Sequence, residues 1–319
     1  MSEFDLIQRF FTRPTPGATL GVGDDAALLR VGDGMELAVS TDMLVSGTHF
    51  LPDTDPFLLG HKTLAVNLSD LAAMGASPRW ATLALSLPNA DERWLQQFSA
   101  GFFALAAEHG VELIGGDTTR GPLNLCVTIM GEVPWGEALL RSGAQAGDDI
   151  WVSGSLGVAA LGLAQLQGKV ALPEEVRIAC LAALQRPQPR IALGLALRGI
   201  ANSAIDVSDG LIADLGHILE CSGMAAEVQY DRLPAASFFA SSGQALDELA
   251  QHCVLSGGDD YELCFTAAAA RRDEIAALST RLHLPLSRIG QIVSGRGCKV
   301  CAPDGTVMTI KEAGYDHFA

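Results

Sequence analysis

The chain has 319 residues, 49% hydrophobic and 18% charged, a composition that excludes an intrinsically disordered protein. Such a length is sufficient for two domains, each able to bury its own core. Acidic residues outnumber basic ones by 37 to 21, and the net charge of −16 argues against a nucleic-acid partner, whose phosphates need a basic surface. The chain shows no secretion signal and no apolar run of about 18 residues that could cross a membrane. We therefore expect a soluble cytoplasmic protein without a membrane partner.

In the first half of the chain, apolar patterns predict helices and strands in alternation. The segment 91–110 has the clearest helical pattern, with Asp91 placed to begin the helix and Gly110 to end it. Further helices are predicted at 3–12 and 60–76, and strands at 36–40, 79–88, 111–114 and 123–134. The strand at 111–114 is expected to end in a Gly-Gly-Asp turn.

The second half of the chain continues the alternation. A Gly-, Ser- and Ala-rich stretch precedes a strand that starts at Ile150, which indicates a domain boundary near residue 145. Helices are predicted at 156–167, 173–185, 189–201 and 271–282, with a helical region that reaches about residue 251 and a strand, turn and helix at 203–223. The fold class is therefore α/β (α+β), with domains at 1–145 and 146–319.

The predicted helix 60–76 carries an aspartate in an apolar environment. Asn67 and Asp70 are three residues apart and so point to one side of the helix. A carboxylate there needs a partner, because an isolated buried charge is too costly. Asp70 is thus either a paired structural residue or part of a site, and Lys62 faces either phosphate or solvent.

Aspartate recurs beside glycine, serine or threonine throughout the chain. Each occurrence alone is typical of a turn or a helix cap. Their apolar flanks, however, predict that buried strands present them at turns or strand ends, where α/β folds bind ligands. The residues are Asp24, Asp25, Asp42, Asp70, Asp117, Asp206, Asp209, Asp259 and Asp260. Carboxylates gathered in one place imply hard cations, most simply Mg²⁺, which usually binds substrate phosphates as well.

Other nucleotide and metal motifs do not occur in the sequence. There is no G-x-x-x-x-G-K-[ST], no kinase H-R-D with D-F-G, and no H-E-x-x-H. Cys298 and Cys301 form a single C-x-x-C without a second pair, so neighbouring positions in a terminal hairpin are favoured over zinc binding.

Taken in order, the motifs resemble the thiamine-monophosphate kinase family. They are LGVGDDAALL, STDMLVSGTHF, HKTLAVNLSDLAAMGA, LIGGDTTRGP, IDVSDGL, SGGDDYELCF and GYDHF, and they extend from about residue 3 to the C-terminus. The resemblance implies an aminoimidazole ribonucleotide synthetase-like fold with an N-terminal α/β domain that dimerises through its sheet and a C-terminal α/β domain. It also implies phosphorylation of thiamine monophosphate to thiamine diphosphate by ATP, with several Mg²⁺ ions, in a homodimer.

The resemblance further implies roles for individual residues, by their match to the family's motifs. Metal ligands are Asp25, Ser40, Thr41, Asp42, Asp70, Asp117, Asp206 and Asp209. Nucleotide-binding residues are Gly116, Asp117, Arg141 and Ser208, and substrate-binding residues are His49, Asp259 and Tyr315. Two positions depart from the family: Asp259 stands where glutamate is usual, and Tyr315 where tryptophan is frequent. No protein base or nucleophile is implied, because the accepting phosphate oxygen is already anionic.

The sequence leaves two alternative functions open. Another ATP-dependent member of the superfamily, such as aminoimidazole ribonucleotide synthetase, shares the metal motifs, although the GYDHF ending disfavours it. A non-catalytic acidic protein that binds divalent metal would bind Mg²⁺ without consuming ATP.

Overall fold

A computed structural model of the chain describes residues 2–234, 247–315 and 317. It divides into two compact units, one formed by Met1–Leu71 and Ala76–Gly136, the other by Ala72–Gly75 and Glu137–Ala319. Each unit combines a sheet with helices, so the predicted mixed α/β class is confirmed. The functional division at residue 145 stays a prediction.

The first unit contains a four-stranded sheet in the order β1-β4-β2-β3. Its elements are α1 (Glu3–Leu6), a π-helical turn (Ile7–Phe11), β1 (Met35–Val45), α2 (Pro56–Ala73), β2 (Ser77–Leu87), α3 (Glu92–His109), β3 (Glu112–Arg120) and β4 (Asn124–Pro134). β4 pairs antiparallel with β1 and β2, whereas β2 and β3 are parallel because α3 connects them.

Helix α3 begins and ends where the sequence predicts. The side chain of Asp91 accepts hydrogen bonds from the amides of Arg93 and Trp94, and Gly110 ends the helix with a φ of 66°. Helices α2 and α3 approach closely, since a Cβ added at Gly60 would meet the main-chain carbonyl of Phe98. Glycine is therefore required at this helix contact.

The two faces of the sheet in the first unit differ in exposure. Side chains alternate between the faces, and Leu125, Val127 and Ile129 of β4 are fully buried on the face that carries the helices. The opposite face, called here the exposed face, carries Leu37, Val39, Thr41 and Met43 of β1 with their neighbours on the adjoining strands. Leu37, Val39 and Met43 are 40%, 56% and 55% exposed.

Two predictions for the first unit are wrong in detail. The Gly-Gly-Asp segment lies inside β3 rather than in a turn, because residues 115–120 continue the ladder with β2. Asp42 likewise lies within β1, which extends to Val45 through its pairing with β4. Neighbouring strands thus decide where these strands end, and the local sequence does not reveal it.

The second unit contains a six-stranded sheet in the order β10-β7-β9-β5-β8-β6. Its strands are β5 (Asp149–Ser153), β6 (Ser203–Val207), β7 (Ala225–Gln229), β8 (Glu262–Ala267), β9 (Leu286–Val293) and β10 (Gly297–Cys301). Its helices are α4 (Val158–Leu166), α5 (Glu174–Gln185), α6 (Ile191–Leu197), α7 (Leu211–Ser222), α8 (Asp247–Ser256) and α9 (Arg272–Leu282). The helical region predicted before residue 251 falls largely outside the described residues.

The core of the second unit forms where α7 packs on this sheet. Leu211, Leu215 and Ile218 of α7 are fully buried against side chains of the central strands. Cys298 and Cys301 lie on the same strand, β10, which pairs parallel with β7. After a turn, Val307 bridges back to Cys301 in the antiparallel sense, so the expected placement of the two cysteines in a terminal hairpin is confirmed. Among the described residues, no helix is long and apolar enough to cross a membrane.

Candidate active site

In the first unit, β1 and α2 bring together three of the predicted metal ligands. The Ser40 Oγ hydroxyl donates a hydrogen bond of 2.5 Å to Asp70 Oδ2, and the amide of Asp42 donates one of 3.1 Å to Asn67 Oδ1. Ser40 and Asp42 are two residues apart and so face α2 together. Asn67 and Asp70 point to one side of the helix, as predicted, and that side faces β1.

The polar residues of α2 are held rigidly by the packing around them. Asn67 is 1% exposed and also donates from Nδ2 to the carbonyl of Thr63, at 3.0 Å. Lys62 is only 4% exposed, so the alternative in which it faces solvent is wrong. Asp70 itself is half-buried, next to a helix face that cannot shift without breaking these contacts.

The structure places the side chains of Thr41 and Asp117 on the exposed face of the sheet. Thr41 Oγ1 lies 2.8 Å from the hydroxyl oxygen of Thr128. Asp117 lies on the edge strand β3, and the pairing of β3, β2, β4 and β1 puts its side chain on the same face of the sheet as that of Thr41. Three strand spacings separate β3 from β1, which corresponds to about 14 Å. Within the first unit, these two side chains are therefore not brought to Ser40, Asp42 and Asp70.

Gly116 owes its identity to close packing between β3 and β2. Its φ is 147°, and a Cβ at this position would meet the main-chain carbonyl of Leu83. Any side chain here would be strained and would push β3 away from β2. Its predicted contact with nucleotide stays a prediction.

Asp25 and His49 occupy loops at the ends of strands in the first unit. Asp25 is exposed, at the tip of a loop closed by the bridge between Leu20 and Leu28. His49 follows β1, and its Nδ1 accepts a hydrogen bond of 3.0 Å from the amide of Val45. That bond places the proton of a neutral His49 on Nε2.

In the second unit, a turn between β6 and α7 carries Ser208 and Asp209. Asp206, 5% exposed, is the penultimate residue of β6 before this turn. The carboxylate of Asp214 accepts hydrogen bonds through Oδ2 from the amides of Ser208, Asp209 and Gly210, at 3.0, 3.1 and 3.2 Å. Burial raises the pKa of Asp214 to about 7, although the three amide bonds act in the opposite direction.

The same turn is bonded directly to both substrate-binding candidates of the second unit. The amide of Asp259 donates to the carbonyl of Ser208 at 2.8 Å, and the amide of Tyr315 donates to the carbonyl of Asp209 at 3.0 Å. Gly314 permits this close approach, since a Cβ there would lie 2.7 Å from the Asp209 carbonyl oxygen. Ser208, Asp209, Asp259 and Tyr315 are thus brought together.

The segment around Asp259 has an unusual backbone. Asp259 and Tyr261 have φ values of 68° and 49°, a conformation that side-chain-bearing residues rarely adopt. Between them, Asp260 accepts a hydrogen bond of 2.8 Å from the amide of Gly157, and burial raises its pKa well above the usual value. Strained backbone is concentrated at functional sites, and the tertiary contacts here stabilise it.

The structure does not bring Arg141 to the Ser208–Gly210 turn. Leu140 accepts a hydrogen bond from the amide of Ala204, at the start of β6, whereas the turn follows the end of that strand. The length of β6 separates Arg141 from Ser208 by about 13 Å. Its predicted nucleotide contact stays a prediction.

Sequence reasoning missed Asp214. The signal was the same as for Asp70: a carboxylate within an apolar helix, here LIADL, has to find a partner. Asp214 is 3% exposed and finds that partner in the amides of the preceding turn.

The group formed by Ser40, Asp42 and Asp70 in the first unit offers oxygen donors, the ligands that Mg²⁺ prefers. So does the group at the Ser208–Gly210 turn in the second unit. Within the described ranges, however, no three His, Cys, Asp or Glu side chains are placed so that they could hold a metal ion by themselves. Magnesium commonly uses one or two carboxylates and takes its other ligands from water and phosphate, so the donor sets fit this ion.

Comparison with known proteins gives matches over nearly the whole chain. Residues 23–133 match the family AIR synthase related protein, N-terminal domain, and residues 145–301 match its C-terminal domain. The thiamine-monophosphate kinase of Salmonella typhimurium is 49% identical over 99% of this chain and 98% of its own.

Solved structures agree with this similarity. The thiamine-monophosphate kinase from Stenotrophomonas maltophilia K279a is 51% identical, with a TM-score of 0.86 over 98% of each chain. The structure of AaThiL complexed with AMPPCP and TMP is 28% identical, with a TM-score of 0.78 over 99% of this chain and 96% of that chain. The resemblance inferred from the motifs is confirmed.

Proposed function

The chain belongs to the thiamine-monophosphate kinase family, and we propose that it transfers the γ-phosphoryl group of ATP to thiamine monophosphate, yielding thiamine diphosphate and ADP. The solved complex of AaThiL with AMPPCP, an analogue of ATP, and TMP supports this pair of substrates. The proposed location of the enzyme is the cytoplasm, where ATP is the common phosphoryl donor.

The observation that carries this proposal is the Ser208–Gly210 turn. It connects Ser208 and Asp209, the candidates for nucleotide and metal, to Asp259 and Tyr315, the candidates for the acceptor, through two backbone hydrogen bonds. A kinase has to align two phosphates for in-line transfer, and a rigid turn shared by both groups serves that purpose.

The reaction needs charge compensation more than it needs a protein base. The acceptor phosphate carries ionised oxygens near neutral pH, so the main obstacle is repulsion between two polyanions. Ser40, Asp42 and Asp70 of the first unit, and Asp206 and Asp209 of the second, would hold Mg²⁺. When bound, Mg²⁺ neutralises charge on the phosphate oxygens.

The chain's own residues bind and orient the substrates. The hydrogen bond that His49 accepts at Nδ1 fixes the orientation of its ring. The ring of Tyr315, 53% exposed, can stack on the cationic thiazolium ring of the acceptor. Asp259 is one methylene shorter than the glutamate usual in the family, and its main chain is anchored to Ser208.

The direct test is an assay with ATP, Mg²⁺ and thiamine monophosphate, with thiamine diphosphate and ADP both quantified. Equal amounts of the two products support the kinase. ATP consumption with a different acceptor supports another superfamily member, and Mg²⁺ binding without ADP formation supports a non-catalytic metal-binding protein. Either of these results, from folded protein, overturns the proposal.

The exposed face of the first unit supports a homodimer. Leu37, Val39 and Met43 form an exposed apolar row on edge strand β1, which is typical of a protein–protein contact. A second copy of the sheet would cover this row. We expect Val39→Glu to shift the mass measured by light scattering from dimer to monomer, whereas Leu28→Glu, on an exposed loop, leaves it unchanged. A monomeric unsubstituted protein contradicts this proposal.

A further inference from the structure

We propose that Asp214 is a positioning residue, which fixes the Ser208–Gly210 turn and thereby the direction of the Asp209 side chain. This inference rests on the proposed function, because Asp209 is one of the residues that would bind metal there. Asp214 itself touches neither substrate nor metal in this proposal. It acts through the backbone of its neighbours.

One oxygen of Asp214 makes three hydrogen bonds to the turn. Asp214 Oδ2 accepts hydrogen bonds from three successive amides, those of Ser208, Asp209 and Gly210, at 3.0 to 3.2 Å. Hydrogen bonds to a carboxylate are stronger than those between neutral groups. Three hydrogen bonds occupy the acceptor capacity of Oδ2, so this oxygen serves the turn.

The Ser208–Gly210 turn is restricted to its observed conformation. Gly210 has a φ of 124°, and a Cβ there would lie 2.7 Å from the backbone of Ser256. The carbonyls of Ser208 and Asp209 are held by the amides of Asp259 and Tyr315. Asp214 supplies an acceptor for all three amides of the turn, whereas the segments that carry Asp259 and Tyr315 hold its carbonyls.

Asp214 contributes the position of an oxygen atom rather than a charge near the substrate. It is 3% exposed and lies in the first turn of α7, which the core packing of Leu211 and Leu215 holds in place. A change in the reach of this side chain therefore moves the turn, not the helix. A displacement of about 1 Å at a catalytic position can cost about 100-fold in rate.

The experiment compares two substitutions that separate shape from charge. Asp214→Asn keeps the acceptor oxygen in place without the charge, and Asp214→Glu keeps the charge but moves the oxygen by one methylene. We expect the Asn variant to retain kcat within about tenfold, since its amide oxygen accepts from the same three amides at the same reach. We expect the Glu variant to lose about 100-fold in kcat and to need more Mg²⁺ for half-maximal rate.

Controls distinguish positioning from general destabilisation. Circular dichroism and thermal unfolding establish that each variant is folded at the assay temperature, and Glu220→Gln, exposed on the same helix, serves as the matched control. Asp214→Ala removes the acceptor altogether and is interpreted in the same way as Asp214→Glu if the latter does not fold.

The outcome is decisive in either direction. An Asn variant as inactive as Asp209→Asn overturns the proposal, because the charge would then matter more than the position. A Glu or Ala variant that is folded and has unchanged kcat and Mg²⁺ dependence overturns it as well. Failure of the unsubstituted protein to form thiamine diphosphate, by contrast, contradicts the proposed function itself.

Discussion

Replacing Asp70 by Asn tests whether the α2 carboxylate binds metal or only stabilises the first unit. The substitution keeps the size of the side chain and an oxygen that can accept the bond of 2.5 Å from Ser40 Oγ. Asparagine removes the charge that assists this bond, and we expect a loss of about 1 kcal/mol in the free energy of unfolding.

The expected catalytic effect is much larger than the structural one. A metal ion contributes several kcal/mol of charge stabilisation in the transition state, and loss of about 4 kcal/mol corresponds to about 1,000-fold in rate. Activity should therefore fall by about that factor at moderate Mg²⁺ concentration, while thermal unfolding changes little. Higher Mg²⁺ should restore part of the rate, because the remaining ligands still bind the ion.

The assay measures thiamine diphosphate formation across a range of Mg²⁺ concentrations, together with urea unfolding. Asp55→Asn is the matched control: Asp55 caps the same helix by accepting from the amides of Phe57 and Leu58, and asparagine caps equally well. An Asp70→Asn variant with near-normal activity and unchanged Mg²⁺ dependence would refute the assignment of Asp70 as a metal ligand.

Three further substitutions test other contacts. Gly314→Ala places a Cβ against the Asp209 carbonyl, so we expect KM for thiamine monophosphate to rise about tenfold, equivalent to about 1.4 kcal/mol. Gly216→Ala, where a Cβ would meet open space, is the control and should leave this KM unchanged. Equal KM values for the two variants would contradict the importance of the Gly314 contact. Arg190→Met removes the bidentate partner of Glu262 and leaves that carboxylate, which is only 4% exposed, unpaired by arginine. We expect the free energy of unfolding, measured in urea, to fall by about 3 kcal/mol. An unchanged urea midpoint contradicts this expectation. Gly60→Ala should lower the midpoint of thermal unfolding. Overpacking of α2 against α3 costs about 2 kcal/mol, which outweighs the gain of about 1 kcal/mol in helix propensity. A higher midpoint would show that α2 and α3 move apart at little cost.

Much of the secondary structure could be predicted because its signals are local. Asp91 and Gly110 mark the ends of α3 in the sequence and in the structure alike, and Gly223 ends α7 as predicted. The fold class followed from the alternation of helices and strands, and the family followed from the order of the motifs. The extent of β1 and β3 could not be predicted, because pairing with β4 and β2 carries both strands past the Asp42 and Asp117 positions.

The candidate site was predicted as a list of residues, but not as an arrangement. Alternation along β1 turns Ser40 and Asp42 towards α2 and Thr41 to the opposite face, although all three come from one motif. Lys62 is buried rather than solvent-facing. The association of Asp214 with the Ser208–Gly210 turn is visible only in its three hydrogen bonds to backbone amides.

The sequence by itself determined the family, the chemistry of the donors and most of the helices, because these depend on residue type and spacing along the chain. Only the tertiary structure decided that Asp259 and Tyr315, 56 residues apart by number, are both bonded to the Ser208–Gly210 turn. Such contacts join distant segments through backbone atoms, which every residue possesses, so no residue type signals them. Folding alone brings these segments together.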